Sequence, residues 1–247
     1  MEPNDMILEI GADDEFTFSC NKSVACFNEC CRDLNQFLTP YDIIRLKNHF
    51  GMPSGEFLNT YTVSHTGPET GLPVITFKTL GGDSLICPFV TEDGCSVYEN
   101  RPASCRSYPI ARLAARSRET GRVTEHFVLI NEPHCFGCEG GKTQTVKEWM
   151  DDQGILPYNE MNDLMMELIG LKANKIKGPL DLRTGHIFYT SLYDIDAFRG
   201  QVFEKGLLDN MNVPAGILEE AKKDDAMLYK LAIAFVKFAV FDMPFQI

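Results

Sequence analysis

Four cysteines fall within the twelve residues "CNKSVACFNECC", from Cys20 to Cys31, and the last two, Cys30 and Cys31, are adjacent. The chain has nine cysteines in 247 residues, so nearly half sit in this one stretch. Cysteines that only fill a core are scattered; a cluster holds a disulfide, a metal or a reacting sulfur. The set is Cys20, Cys26, Cys30 and Cys31, then Cys87, Cys95 and Cys105, then Cys135 and Cys138. The opening "MEPNDMILEIGADDEF" has no basic region, apolar region or cleavage site of a secretory signal. That sets a cytoplasmic expectation, where thiols stay mostly reduced. An odd count also suits a disulfide framework poorly. Metal ligation is the expected role.

The spacings are C-x5-C-x3-C-C, C-x7-C-x9-C and C-x2-C. The last is a chelating loop, in which Gly137 is expected to relieve the turn. In an extended segment Cys30 and Cys31 would point to opposite faces and not grip one tetrahedral ion together. Eight thiolates complete two four-sulfur sites with one sulfur over, and the number of centres stays open. No single segment offers an easy four-sulfur site, so all three are expected to converge.

Net charge is −12, with 13 basic against 20 acidic residues up to Met150 and 10 against 15 beyond, of 23 and 35 in all. No basic stripe stands out, which argues against nucleic acid or an anionic membrane as partner. Within this acidic chain, Arg101, Arg106 and Arg112 surround Cys105. Guanidinium groups beside coordinated sulfur offset its charge, and Arg101 and Arg106 are the candidate cofactor-binding residues. Of the five histidines only His134, beside Cys135, is placed as an extra ligand, and it reads as a surface side chain. Zinc favours paired C-x2–4-C knuckles, and only Cys135/Cys138 has that form. Iron–sulfur clusters accept irregular spacings from distant segments. The pattern favours an iron–sulfur cluster, with zinc as the alternative.

Around the cysteines, Thr39-Pro40 predicts a helix start that Gly51 closes, and a second short helix begins at Ser54. "LPVITFKTL" (Leu72 to Leu80) and "SLICPFV" (Ser84 to Val90) read as a hairpin about Gly81-Gly82-Asp83, and Arg122 to Ile130 as another strand. From Lys142 onward the pattern turns helical, closing on one long helix, "PAGILEEAKKDDAMLYKLAIAFVKFAVF". Its run from Ala226 to Phe241 contains Lys230 and Lys237, too short and too charged for a membrane span. Apolar residues nearly encircle that run, so it should be buried on several sides, against the Leu164–Leu171 helix or a second protein, the first being expected.

The strings "FSCNKSVACFNECC", "LTPYDIIRL", "CPFVTEDGCSVYENRPASCRSYP" and "CFGC" together resemble the YkgJ-type cysteine-cluster family, described as zinc- or iron-chelating and including flagellin lysine-N-methylases. The likeness runs from Phe18 to Cys138, with a weaker extension over Val146 to Gly154. It implies a cysteine-bound metal centre with all nine cysteines at motif positions. From the methylase members it implies a [4Fe–4S] cluster and S-adenosylmethionine. The chain departs in its C-x5-C opening, where the family has C-x2-C, and it is shorter than the methylases. It has no G-x-G-x-x-G and no C-x3-C-x2-C.

The expectation is therefore an α+β protein: a compact cysteine-cluster part over 1–140, with short helices and a small antiparallel sheet, followed by a helical region over 141–247. The two parts pack together or form one domain. Its expected role is holding an iron–sulfur cluster through thiolates from three segments, for redox, sensing or electron transfer with a protein or redox partner. A protein lysine N-methyltransferase and a zinc-stabilised interaction module are the alternatives.

Overall fold

Thr39 and Pro40 open a helix for the reason their chemistry gives. In the computed structural model, which describes residues 6–32, 34–117 and 120–247, Thr39 Oγ1 accepts from the Asp42 amide (3.3 Å). The Asp42 carboxylate in turn accepts from the Thr39 amide (2.8 Å), a reciprocal capping box. The helix α1 (Pro40–Phe50) ends at Gly51, whose φ of 62° a side chain would disfavour. α2 (Ser54–Tyr61) follows as expected. The fold is mixed α+β, as the sequence indicates.

The chain divides into two compact units. The first takes in 1–34 and 79–159. Its strands are β1 (Ile7–Ile10) and β2 (Glu15–Phe18); the numbers β3 to β5 belong to the second unit and are given below. Then come β6 (Val90–Thr91), β7 (Gly94–Cys95), β8 (Ile110–Arg116), β9 (Val123–Ile130) and β10 (Lys142–Thr145). They make an antiparallel sheet in the order β1-β9-β8 and two antiparallel pairs, β2–β10 and β6–β7. The helix α3 (Ala103–Ser107) precedes β8, and α4 (Val146–Asp152) follows β10. Strand β2 alternates as a half-buried strand should: Phe16 and Phe18 are buried and meet the Trp149 ring edge-on, at centroid distances of 6.2 and 5.6 Å. Thr17 faces the other way, bonding Thr143 hydroxyl to hydroxyl at 2.9 Å.

The second unit takes in 35–78 and 160–247. Strands β3 (Phe37–Leu38), β4 (Thr62–Thr66) and β5 (Pro73–Phe77) form an antiparallel sheet in the order β3-β5-β4. The helices are α1, α2, the greater part of α5 (Leu156–Lys175), α6 (Leu182–Leu192), α7 (Ile195–Phe203), α8 (Ala215–Ala221) and α9 (Asp225–Phe241). α9 lies in the core, burying Leu228, Tyr229, Leu231 to Val236 and Phe241. Lys47 on α1, only 8% exposed, bonds Asp196 (3.1 Å) and Asp225 (2.9 Å), and Arg199 pairs with the same two carboxylates.

Four expectations are corrected. Residues 84–90 do not continue the hairpin: a 3₁₀ turn (Gly82–Ser84) and Leu85 at φ 42° leave only a single bridge between Leu80 and Ile86. Lys142 begins strand β10, and helix starts only where Thr145 caps α4 with Glu148. The closing helix is two helices, because Asp224 accepts from the Met227 amide (2.8 Å) and restarts the chain as α9. α9 packs on α6, α7, α8 and α1; with α5 its named contacts are polar, Lys237–Glu167 (2.9 Å) and Lys175 to the Phe241 carbonyl (2.7 Å). No helix among the described residues is long and apolar enough to cross a membrane.

Candidate metal centre

All nine cysteines belong to the first unit, and none is in a disulfide. Segment 20–32 is a run of tight turns, in which the amides of Val24, Phe27, Glu29, Cys31 and Arg32 each donate three residues back. Asn21 Oδ1 starts the run by accepting from the amide (2.9 Å) and hydroxyl (2.6 Å) of Ser23. Cys30 and Cys31 fall on the 3₁₀ turn Glu29–Cys31. There successive side chains are rotated by about 120°, whereas a strand would alternate them. The opposite-face expectation therefore fails: the two sulfurs are 3.9 Å apart. Thiolates held tetrahedrally at about 2.3 Å from one zinc ion would be roughly 3.8 Å apart.

The Cys87 amide donates to the Cys31 carbonyl at 2.8 Å, and the Cys31 thiol bonds the Cys87 sulfur. The Val90 amide returns to the Cys87 carbonyl at 3.3 Å, and Val90 pairs with Cys95 across β6–β7. These contacts gather Cys30, Cys31, Cys87 and Cys95. A second gathering lies beside β2. The Ser19 amide donates to the Gly137 carbonyl at 3.0 Å, which brings Cys20 to the C-x2-C loop. The Phe136 amide donates to Cys26 Sγ at 3.1 Å, next to Cys135. Gly137 is needed for room and not to relieve a turn: it lacks positive φ, and a Cβ there would stand 2.4 Å from the Phe18 ring.

Burial, with Cys30, Cys26 and Cys135 nearby, pushes the Cys20 thiol up to about 11. Cys30 and Cys87 are lowered to about 7 by hydrogen bonds with Cys31. Those same bonds push Cys31 well up. Burial raises Cys95 and Cys138. Two thiols beside Cys31 thus ionise near neutrality, which is the form that binds metal.

Arg101 is buried, its guanidinium 3.8 Å from the Tyr98 ring centroid and bonded to Gln153 Oε1. Its charge favours the thiolate forms of Cys20, Cys30 and Cys95. Arg106 is turned to backbone carbonyls, Gln153 O (2.5 Å) and Glu99 O (2.6 Å), with the Tyr158 ring 5.2 Å away. Arg112 pairs with Glu125 at 2.7 Å across β8–β9. Cys105 is exposed on α3. His134 is exposed, 3.6 Å from Glu132.

Three supporting residues escaped the sequence reading. Gln153 anchors both arginines, and Trp149 Nε1 ties α4 to the Ser107 carbonyl at 2.8 Å. Tyr108 donates to Glu132 (3.0 Å) and engages the Cys135 sulfur. The R-S-Y-P run after Cys105 was its only signal.

No three His, Cys, Asp or Glu side chains among the described residues stand in metal-holding geometry. What the structure has is sulfur pairs and neighbours. The chemistry of the donors fits soft thiolate sites, which take zinc or iron–sulfur centres.

No curated protein and no solved structure matches the chain. Residues 19–136 match the family CxxCxxCC, whose description reads "Putative zinc- or iron-chelating domain". That span holds eight of the nine cysteines, the buried Arg101 and Tyr108. Over residues 19–136 the chain is thus similar to the CxxCxxCC family of zinc- or iron-chelating domains, a likeness that supports metal binding by this span.

Proposed function

We propose that the first unit holds an iron–sulfur cluster, of the [4Fe–4S] type, through its cysteine thiolates, for electron transfer or redox sensing. The observation that carries the reading is the convergence of thiols from three chain segments around the buried, positively charged Arg101. A bound cluster supplies one-electron chemistry. The protein's own part is to place sulfur donors, to hold Cys30 and Cys87 near ionisation, and to set a fixed positive charge beside thiolates. Guanidinium charge next to the sulfurs favours the more negative, reduced state.

Zinc is the second reading, and the 3.9 Å separation of the Cys30 and Cys31 sulfurs favours it. Elemental analysis after anaerobic purification decides between them. Iron with acid-labile sulfide and a brown chromophore is the expected result. Zinc without sulfide would replace the first reading by the second.

A further inference from the structure

We infer that eight of the cysteines form two distinct four-thiolate sites, Cys20, Cys26, Cys135 and Cys138 in one, Cys30, Cys31, Cys87 and Cys95 in the other. The inference rests on the reading that these thiolates hold metal, and it divides them between two centres.

The turn-rich segment 20–32 gives two sulfurs to each site, and a different partner segment closes each. For the first, the Ser19–Gly137 hydrogen bond (3.0 Å) and the Phe136 amide on Cys26 Sγ (3.1 Å) lay the C-x2-C loop along Cys20 and Cys26. The β2–β10 pairing continues that contact from Phe18 opposite Lys142. For the second, the Cys87 amide on the Cys31 carbonyl (2.8 Å) docks the β6–β7 segment against Cys30 and Cys31. The Asn28 side-chain amide on the Thr91 carbonyl (2.9 Å) fixes the other end of that docking.

The sulfurs do not stand in closed shells, but one χ1 change moves a sulfur by roughly 3 Å. Coordination therefore requires side-chain rotation on a backbone already in place. Two sites of four use eight of the nine thiols, and this assignment leaves Cys105, which is exposed on α3.

The test uses the full chain as purified anaerobically from iron- and zinc-supplemented cells. Cys138→Ser and Cys95→Ser should each keep about half of the parent's bound metal, and the double variant none. Loss of all metal in either single variant means one shared centre and overturns the division. A parent with no metal overturns the underlying reading as well. Because the variants can misfold, the parent itself is also titrated with EDTA and alkylated with iodoacetamide. Peptide mass spectrometry should find the thiols becoming reactive in two sets of four, matching the two sites, with Cys105 labelled throughout. A set that mixes members, such as Cys26 with Cys87, or protection of Cys105, overturns the assignment.

Discussion

Arg101 is a buried positive charge that favours the thiolates, though less strongly than burial and the contacts between the thiols act on them. Its positive charge favours thiolate over thiol, so its removal raises the thiol pKa values, and protons then displace metal at higher pH. Arg101→Ala should shift the midpoint of acid-driven metal release upward, read with a chelating dye. It should also cost about 2–4 kcal/mol, because a buried charged hydrogen bond and a ring contact are lost together. An unmoved midpoint with lowered stability would leave Arg101 a packing role only. In the second unit, Asp196 shows the opposite balance. Burial alone would raise its pKa, but the Ser54 amide, Lys47 and Arg199 together hold it below the ordinary carboxylate value. A lowered folded pKa adds stability that is fully present above the unfolded value, near pH 4, and fades as pH falls through the folded one. Asp196→Asn should therefore destabilise at neutral pH, by about 1–3 kcal/mol, and flatten the acid limb of the stability curve in urea titrations.

Among the elements, α9 makes the sharpest contrast. Phe235 is 7% exposed and meets the Phe198 ring at 5.6 Å, while Phe238, one turn on, is 44% exposed. Phe235→Asp buries an unpaired charge and removes a large side chain, costing about 4 kcal/mol or more; Phe238→Asp should cost less than about 1 kcal/mol. Equal melting temperatures for the two would contradict this difference in burial. Helix α1 was legible because its signals are local: Thr39, Pro40 and Gly51 each act on backbone within a turn. The strands β1, β2 and β10 were not, because pairings such as Ile7 with Ile130 come from contacts more than a hundred residues apart. The break between α8 and α9 hid inside an apolar run, marked only by Asp224. At the site the division was similar. Residue type and spacing marked the thiols, but which thiol lies by which depends on contacts such as Phe136 to Cys26, 110 residues apart.

On the scale of the molecule, the two units differ in what can hold them. The second has a broad apolar core around α9; the first has small sheets, short helices and nine cysteines. Metal binding free energy becomes folding free energy where ligands come from distant segments. Chelation should therefore lower the first unit's melting transition and leave the second unit's in place, resolved by calorimetry or by hydrogen exchange along the chain. A single unshifted transition after complete metal removal would contradict this. The chain's path between the units also bears on how the protein is made. The segment 35–78, which belongs to the second unit, emerges from the ribosome between the two portions of the first. Cys20 to Cys31 are thus translated more than a hundred residues before Cys135 and Cys138. During that interval Cys20 and Cys26 are without the partner thiols that the division gives them. On the two-site division, Cys30, Cys31, Cys87 and Cys95 are all available to metal once Cys95 has cleared the exit tunnel, whereas Cys20 and Cys26 wait for Cys138, so a product that stops before Cys135 would keep one site and carry two unliganded, oxidation-prone thiols.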